Sequence, residues 1–251
     1  MHRAGYAALG LPYVYAPFAV ESSGLRAALD GMRALGIRGL GVSMPFKLEV
    51  LPLLDSIDPL AERICAVNTI VNDAGTLRGH NTDAVGAVRA LEEVGPLRGS
   101  RCLVLGAGGA ARAVVYGIIE SGARVSIANR DGAKARALAT RTGSEAVDWE
   151  EATRDPASFD VVINATSLGM DVEGPSVGPL EERALRAEQV VMDIVYRPIE
   201  TALVKAARRA GSKVVHGGRM LLHQAARQFE LYTGCPAPLA AMDAALKASL
   251  D

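Results

Sequence analysis

The sequence predicts a two-domain α/β protein whose second half is a doubly wound parallel sheet. Three observations predict it. Apolar strand-like runs alternate with helical patterns along nearly the whole chain. One stretch, "AVNTIVNDAGTLRGHNTD", interrupts that rhythm with two β-rich runs around a tight-turn signal. A glycine-rich segment, "LVLGAGGAARAV", then sits between a strand pattern and a helix pattern. With 251 residues, about half of them apolar, the chain is long enough to bury one large core or two smaller ones.

In the first half, "PYVYAPFAV", "SGLRAALDGMRALG", "IRGLGVSM" and "PFKLEVLPLLD" read as strand, helix, strand and helix, the rhythm of a parallel sheet. The hairpin around "NDAG" reads as an antiparallel edge of the same sheet. "AVGAVRALEEVG" follows as a helix that stops at Gly95 and Pro96, since glycine ends helices and proline cannot continue them. A domain junction is expected at this helix. Residues 1–84 form the first domain and residues 85–218 the second, and the amphipathic C-terminal stretch 219–251 completes the first.

The second half repeats strand and helix through "RVSIANR", "AKARALATRTG", "DVVINATSLGM", "QVVMDIVYRP", "ETALVKAARRAG" and "KVVHGG". Its opening turn places Gly106, Gly108 and Ala111 in a G-x-G-x-x-A arrangement between strand and helix. The first glycine permits the tight turn, the second lets backbone approach a pyrophosphate, and the small third residue lets helix and strand pack closely. The context favours a Rossmann-type dinucleotide-binding domain over an ordinary strand-to-helix turn. At the end of the next strand, Asn129, Arg130 and Lys134 present polar and basic groups, which suit the 2′-phosphate of NADP. Asp131 lies among them and would suit the free ribose of NAD, so the charge argument prefers NADP and leaves NAD as the alternative.

Composition excludes other classes. Lys+Arg (27) and Asp+Glu (28) nearly cancel and are dispersed, so no polyanionic partner such as nucleic acid is expected, and the partner is a small molecule. Cys65, Cys102 and Cys235 are too far apart for a metal site or a disulfide framework, and the histidines lack ligand spacing; no metal is expected. No apolar run reaches the roughly 18 residues that span a bilayer, so a soluble, cytoplasmic protein is expected.

Three polar residues lie beside strand ends in the first domain: Lys47 in "GVSMPFK", Asn68 in "AVNT" and Asp83 in "HNTD". Ligands of open α/β sheets gather at the carboxyl ends of strands, and a lysine near an aspartate can relay a proton to or from a carbonyl or alcohol oxygen. Residue type alone equally allows a solvated Lys47 at a helix start and an Asp83 that caps the helix beginning at Ala84.

Taken in order, "GVSMPFK", "AVNTI", "HNTDAVG", "GAGGAARAV", "ANRDGAKA", "NATSLGM", "DIVYRPIETALVKAARRAG" and "GGRMLLHQAARQFELYTG" resemble the shikimate dehydrogenase family across essentially the whole chain. The resemblance implies reduction of 3-dehydroshikimate to shikimate with NADPH, in a cleft between two α/β domains, by a monomer or homodimer. It makes Lys47 and Asp83 the catalytic pair, gives Asn68 and Gln224 the substrate hydroxyls and brings Tyr196 to the ring. Gly106, Ala107, Gly108, Gly109, Ala110 and Ala111 become the pyrophosphate turn. Asn129, Arg130 and Lys134 meet the adenosine ribose, and Thr166, Ser167 and Gly218 line the nicotinamide side.

Two departures qualify the match. The common pattern before the lysine is Asn-Val-Thr, with Asn and Thr close to substrate, whereas Gly41 and Ser43 stand there in this chain. Ser43 keeps a hydroxyl and Gly41 keeps nothing, which marks a divergent, shikimate-dehydrogenase-like branch. The family also opens with a strand and a loop whose two serines hold the substrate carboxylate, while this chain begins at "MHRAGYAALGL", which resembles the helix after that loop; a start drawn too late is expected. The alternatives are a quinate- or aminoshikimate-type dehydrogenase using NAD or NADP, and a non-enzymatic dinucleotide-binding regulatory protein.

Overall fold

The computed structural model describes residues 1–170, 178–180 and 182–250. In chain order the elements are α1 (His2–Ala8), α2 (Leu25–Ala34), β1 (Gly39–Gly41), β2 (Ser56–Ile57), α3 (Pro59–Ile64), β3 (Thr69–Asp73), β4 (Thr76–His80) and α4 (Thr82–Glu92). There follow β5 (Arg101–Leu105), α5 (Gly109–Glu120), β6 (Arg124–Ala128), α6 (Gly132–Thr142), β7 (Glu145–Ala146), α7 (Trp149–Arg154), β8 (Val161–Asn164), β9 (Val190–Asp193), α8 (Ala202–Arg209), β10 (Lys213–His216), α9 (Gly217–Thr233) and α10 (Leu239–Leu250). The chain forms two compact units: Met1–Asp83 with Gln224–Ser249, and Ala84–His223.

The first unit holds a four-stranded sheet in the order β1-β3-β4-β2. The hairpin forms where the sequence signals it: Ala74 and Gly75 both take positive φ, and Asp73 pairs with Thr76 across the turn. It is not an edge, however, because β1 adds antiparallel to β3, and β2 adds parallel to β4. The sheet is therefore mixed, not parallel: a hairpin this short forces its two strands antiparallel, and parallel pairing needs a crossover.

Two other expectations fail in this unit. The segment at 12–20 makes no ladder among the described residues. Pro12 and Pro17 carry no N–H to donate, and Val14 and Phe18 are exposed at 87% and 64%. "PFKLEVLPLLD" is a series of turns ending in a 3-10 turn at Leu51–Leu53. Pro52 removes the N–H that would continue a helix, and Leu51, Leu53 and Leu54 bond back three residues, not four.

The core of this unit joins Leu25, Leu29 and Met32 of α2 to Ile70 of β3 and Leu77 of β4. The C-terminal residues of α9 pack against α1, where Tyr6 stacks on Phe229 at 5.2 Å between ring centroids and Gly5 leaves room for the Phe229 ring. Gly39 serves the same purpose: a Cβ there would lie 2.2 Å from the buried Tyr232 ring.

The second unit is the expected parallel sheet, in the order β10-β9-β8-β5-β6-β7. Its strands are apolar on both faces because helices cover both. Along β5, Cys102 and Val104 join one core while Leu103 and Leu105 join the other. The chain runs outward from β5 through β6 and β7, then returns to β8 on the opposite side. The carboxyl ends of β5 and β8 thus form the switch point at which such sheets bind ligands.

Candidate functional site

In the first unit, Lys47, Asn68 and Asp83 come together. Lys47 Nζ donates to Asp83 Oδ2 at 2.7 Å, and Asn68 Nδ2 donates to Asp83 Oδ1 at 2.8 Å. Local structure explains each placement. The turn after β1 carries Lys47 and is tied to the start of β3 by Val42 N to Asn68 O and Val67 N to Lys47 O. Asp83 stands in the first turn of α4, where the helix dipole favours a carboxylate.

The capping reading of Asp83 is overturned. The helix starts at Thr82, and the Asn81 side chain accepts from Asp83 N at 3.1 Å, so Asn81 is the cap. The Asp83 carboxylate is left to face Lys47 and Asn68. The Lys47 side chain remains 27% exposed and that of Asp83 7%, an arrangement in which the ammonium can meet a ligand while its partner stays dry.

Asn68 has a fixed orientation. Its Oδ1 accepts from Thr82 N at 2.8 Å and from Thr69 Oγ1 at 2.8 Å, so its amide nitrogen must face Asp83. Thr69 and Thr82 were not singled out in the sequence, although Thr82 lies inside "HNTD"; nothing local distinguishes a threonine that serves a neighbouring amide. Ser43 is exposed on the turn before Lys47. Gln224 lies half-buried on α9, one helical turn before the buried Gln228.

In the second unit the glycine-rich segment is the turn between β5 and α5. Gly106 has φ +118°, and a Cβ there would lie 2.8 Å from the Ala165 carbonyl oxygen. Gly108 caps α5 and has open space where its side chain would be, and Ala111 is fully buried. An exposed Gly108 and Gly109 at a helix start, with Ala107 and Ala110 beside them, form a cradle that fits a pyrophosphate. After β6, Asn129 and Arg130 line an open cavity of about 600 Å³ together with Arg136. Asp131 is engaged as the cap of α6, accepting from Ala133 N and Lys134 N, and its other oxygen lies 3.7 Å from Lys134 Nζ. The carboxylate that favoured NAD in the sequence is thus partly neutralised, while Arg130 stays exposed. The residues fit a dinucleotide with a 2′-phosphate.

The loops after β8 and β9 are held by a buried network that sequence reasoning missed. Asn164 Oδ1 accepts from Thr166 N and Thr166 Oγ1, and Asn164 Nδ2 donates to Asp193 Oδ1 at 2.9 Å. Asp193 also accepts from Thr201 Oγ1 at 2.7 Å and Val195 N at 3.1 Å. Ser167 and Tyr196 are exposed on the loops so fixed, and Gly218 is buried at the start of α9.

Burial pushes the Asp193 carboxyl above its ordinary value, against the three hydrogen bonds that favour its charged form. As pH rises past the ordinary carboxyl value, the unfolded chain loses this proton while the folded chain keeps it. Stability therefore falls with rising pH until the folded group has also ionised. Asp193→Asn is expected to remove that slope, seen as the difference in urea-unfolding free energy between variant and parent as pH is raised from the ordinary carboxyl value.

Comparison with known proteins decides the family. Residues 1–70 match the shikimate dehydrogenase substrate binding domain, residues 89–207 the shikimate/quinate 5-dehydrogenase family, and residues 217–247 the shikimate 5′-dehydrogenase C-terminal domain. The shikimate dehydrogenase (NADP(+)) of Natronomonas pharaonis is 44% identical over 100% of this chain and 93% of that relative. The chain belongs to the shikimate dehydrogenase family. Among solved structures, the shikimate 5-dehydrogenase of Thermus thermophilus in complex with NADP(H) and shikimate is 38% identical, with a TM-score of 0.91 over 99% of this chain and 93% of that one. The ligand-free 5-ketofructose reductase of Gluconobacter sp. strain CHM43 is 35% identical, with a TM-score of 0.92 over 99% and 92%. A shikimate dehydrogenase fold thus also carries another named activity. Among the described residues of this family member, no group of three or more His, Cys, Asp or Glu is placed to hold a metal, and no helix is long and apolar enough to cross a membrane.

Proposed function

We propose that the protein is an NADP-dependent oxidoreductase that interconverts shikimate and 3-dehydroshikimate. The observation that carries this reading is the Lys47–Asp83 pair held by Asn68, in a chain whose relatives include NADP-dependent shikimate dehydrogenases. Bound NADP⁺ supplies the hydride acceptor for the alcohol carbon. In the reducing direction the Lys47 ammonium, paired with Asp83, gives a proton to the carbonyl oxygen and becomes a neutral amine; in the oxidising direction that amine takes the hydroxyl proton as the C–O bond becomes a carbonyl, restoring the ammonium beside Asp83. Asn68 and Gln224 hold substrate hydroxyls and Tyr196 meets the ring.

The pyrophosphate is held by Gly106, Ala107, Gly108, Gly109, Ala110 and Ala111. Arg130, with Asn129 and Lys134, neutralises the 2′-phosphate, and Thr166, Ser167 and Gly218 line the nicotinamide. The enzyme works in the cytoplasm as a monomer or homodimer. Gly41 and Ser43 favour keeping quinate and aminoshikimate as second candidates, because position 41 offers substrate no side chain.

The test is a panel of shikimate, quinate and aminoshikimate with NADP⁺ and NAD⁺, followed by the absorbance of the reduced cofactor. Shikimate with NADP⁺ is expected to give the highest kcat/KM. Tight NADP⁺ binding with no turnover of any acid overturns the enzyme in favour of a dinucleotide-binding regulatory protein.

A further inference from the structure

The polar cluster around Asp83 extends beyond Asn68 to a residue inside "GGRMLLHQAARQFELYTG" that has no part in the proposed substrate contacts. Gln228 on α9 is 5% exposed, and its Nε2 donates to Thr69 Oγ1 at 2.9 Å and to the Asn68 carbonyl at 3.3 Å. Thr69 Oγ1 donates its single proton to Asn68 Oδ1, and Asn68 Nδ2 donates to Asp83 Oδ1. The hydroxyl has one donor, so accepting from Gln228 leaves its proton directed at Asn68. A continuous line of hydrogen bonds therefore runs from Gln228 through Thr69 and Asn68 to Asp83, and Lys47 closes it from the other side.

Gly41 belongs to the same arrangement. Its backbone is not left-handed, so glycine is not needed there for conformation. A Cβ at this position would instead lie 3.1 Å from Tyr15 Oη and 3.5 Å from Gln228 Nε2. The Tyr15 hydroxyl crowds the place where a side chain would begin, and the Gln228 amide lies beside it at ordinary contact distance.

We propose that Gln228 is a positioning residue for the Lys47–Asp83 pair, lying beside Gly41 and orienting Asn68 through Thr69. The inference rests on the proposed function for what the pair does, and on geometry alone for how it is held.

Gln228→Met keeps the volume and removes the donor, Thr69→Val removes the hydroxyl at the same shape, and Thr69→Ser retains it. Gln228→Met and Thr69→Val are each expected to lower kcat about tenfold through misplacement of the pair, with the KM for NADP⁺ unchanged. The double variant is expected to lose no more than either single one, and Thr69→Ser to keep parental kcat. A second measurement does not depend on turnover: the side-chain amide ¹H–¹⁵N signals of Asn68 are expected to shift in Gln228→Met. Unmoved Asn68 signals, additive losses in the double variant, or a fall in thermal midpoint that accounts for the lost activity overturn the proposal. If the parent protein turns over none of the acids, the functional reading fails and the Asn68 signals alone decide the role of Gln228.

Discussion

Lys47→Ala is expected to lower kcat for shikimate oxidation by roughly two to four orders of magnitude, the loss that follows removal of a positioned proton-transfer group. The ammonium lies 2.7 Å from Asp83 Oδ2 and is one of two side chains seen donating to that carboxylate, the other being Asn68. In the proposed mechanism, removing it takes away the proton that reaches the carbonyl oxygen in the reducing direction. NADP⁺ affinity is expected to stay near that of the parent protein, because the glycine-rich cradle is built entirely from the second unit. Lys47→Arg sharpens the test: it keeps the positive charge but cannot release a proton near neutral pH, so it should not recover the lost rate. Steady-state kinetics with equilibrium binding of NADP⁺ measures both quantities. An unchanged kcat in Lys47→Ala would return this lysine to a solvated turn residue.

Gly106→Ala is expected to weaken NADP⁺ binding by about ten- to a hundredfold, and to lower the thermal midpoint. Two effects combine. A φ of +118° is a region that side chains rarely adopt, at a cost of about 1–3 kcal/mol. The new methyl would also lie 2.8 Å from the Ala165 carbonyl oxygen and 3.2 Å from Thr166 Cγ2. Relief requires the turn after β5 to move away from the loop after β8, and both are proposed to line the cofactor. Gly108→Ala is the matched comparison. Nothing lies within 4 Å of its would-be Cβ, so its stability should hold, and any affinity it loses reports a phosphate that approaches the backbone closely. Calorimetric titration with NADP⁺ and thermal unfolding of both variants decide it; parental affinity in Gly106→Ala would sink the cradle assignment.

Much of the second unit was legible because its signals are local and agree with one another. The glycine spacing, the strand before it and the helix after it specify one turn, and β5 and β8 beside it are apolar runs buried on both faces. The first unit was harder to read. Its strands are short, β1 having three residues and β2 two, and short elements carry little periodicity. Prolines at 12, 17 and 52 interrupt patterns that otherwise look regular, and what pairs with what in a mixed sheet is not a local property.

The sequence by itself determined the alternation of strand and helix in the second unit, the hairpin at Ala74 and Gly75, the glycine-rich turn at Gly106 and the identity of Lys47, Asn68 and Asp83 as the polar residues worth watching. Such signals come from turn chemistry, glycine conformation and residue type, which act within a few positions of the chain. Only the tertiary structure decided what those three residues do to one another. It moved the helix cap from Asp83 to Asn81, turned the Asn68 amide toward Asp83, engaged Asp131 at the start of α6, and brought Gln228 to Asn68 across 160 positions of sequence. Hydrogen bonds of that kind depend on buried donors and acceptors finding partners in space, a requirement that spacing along the chain does not encode.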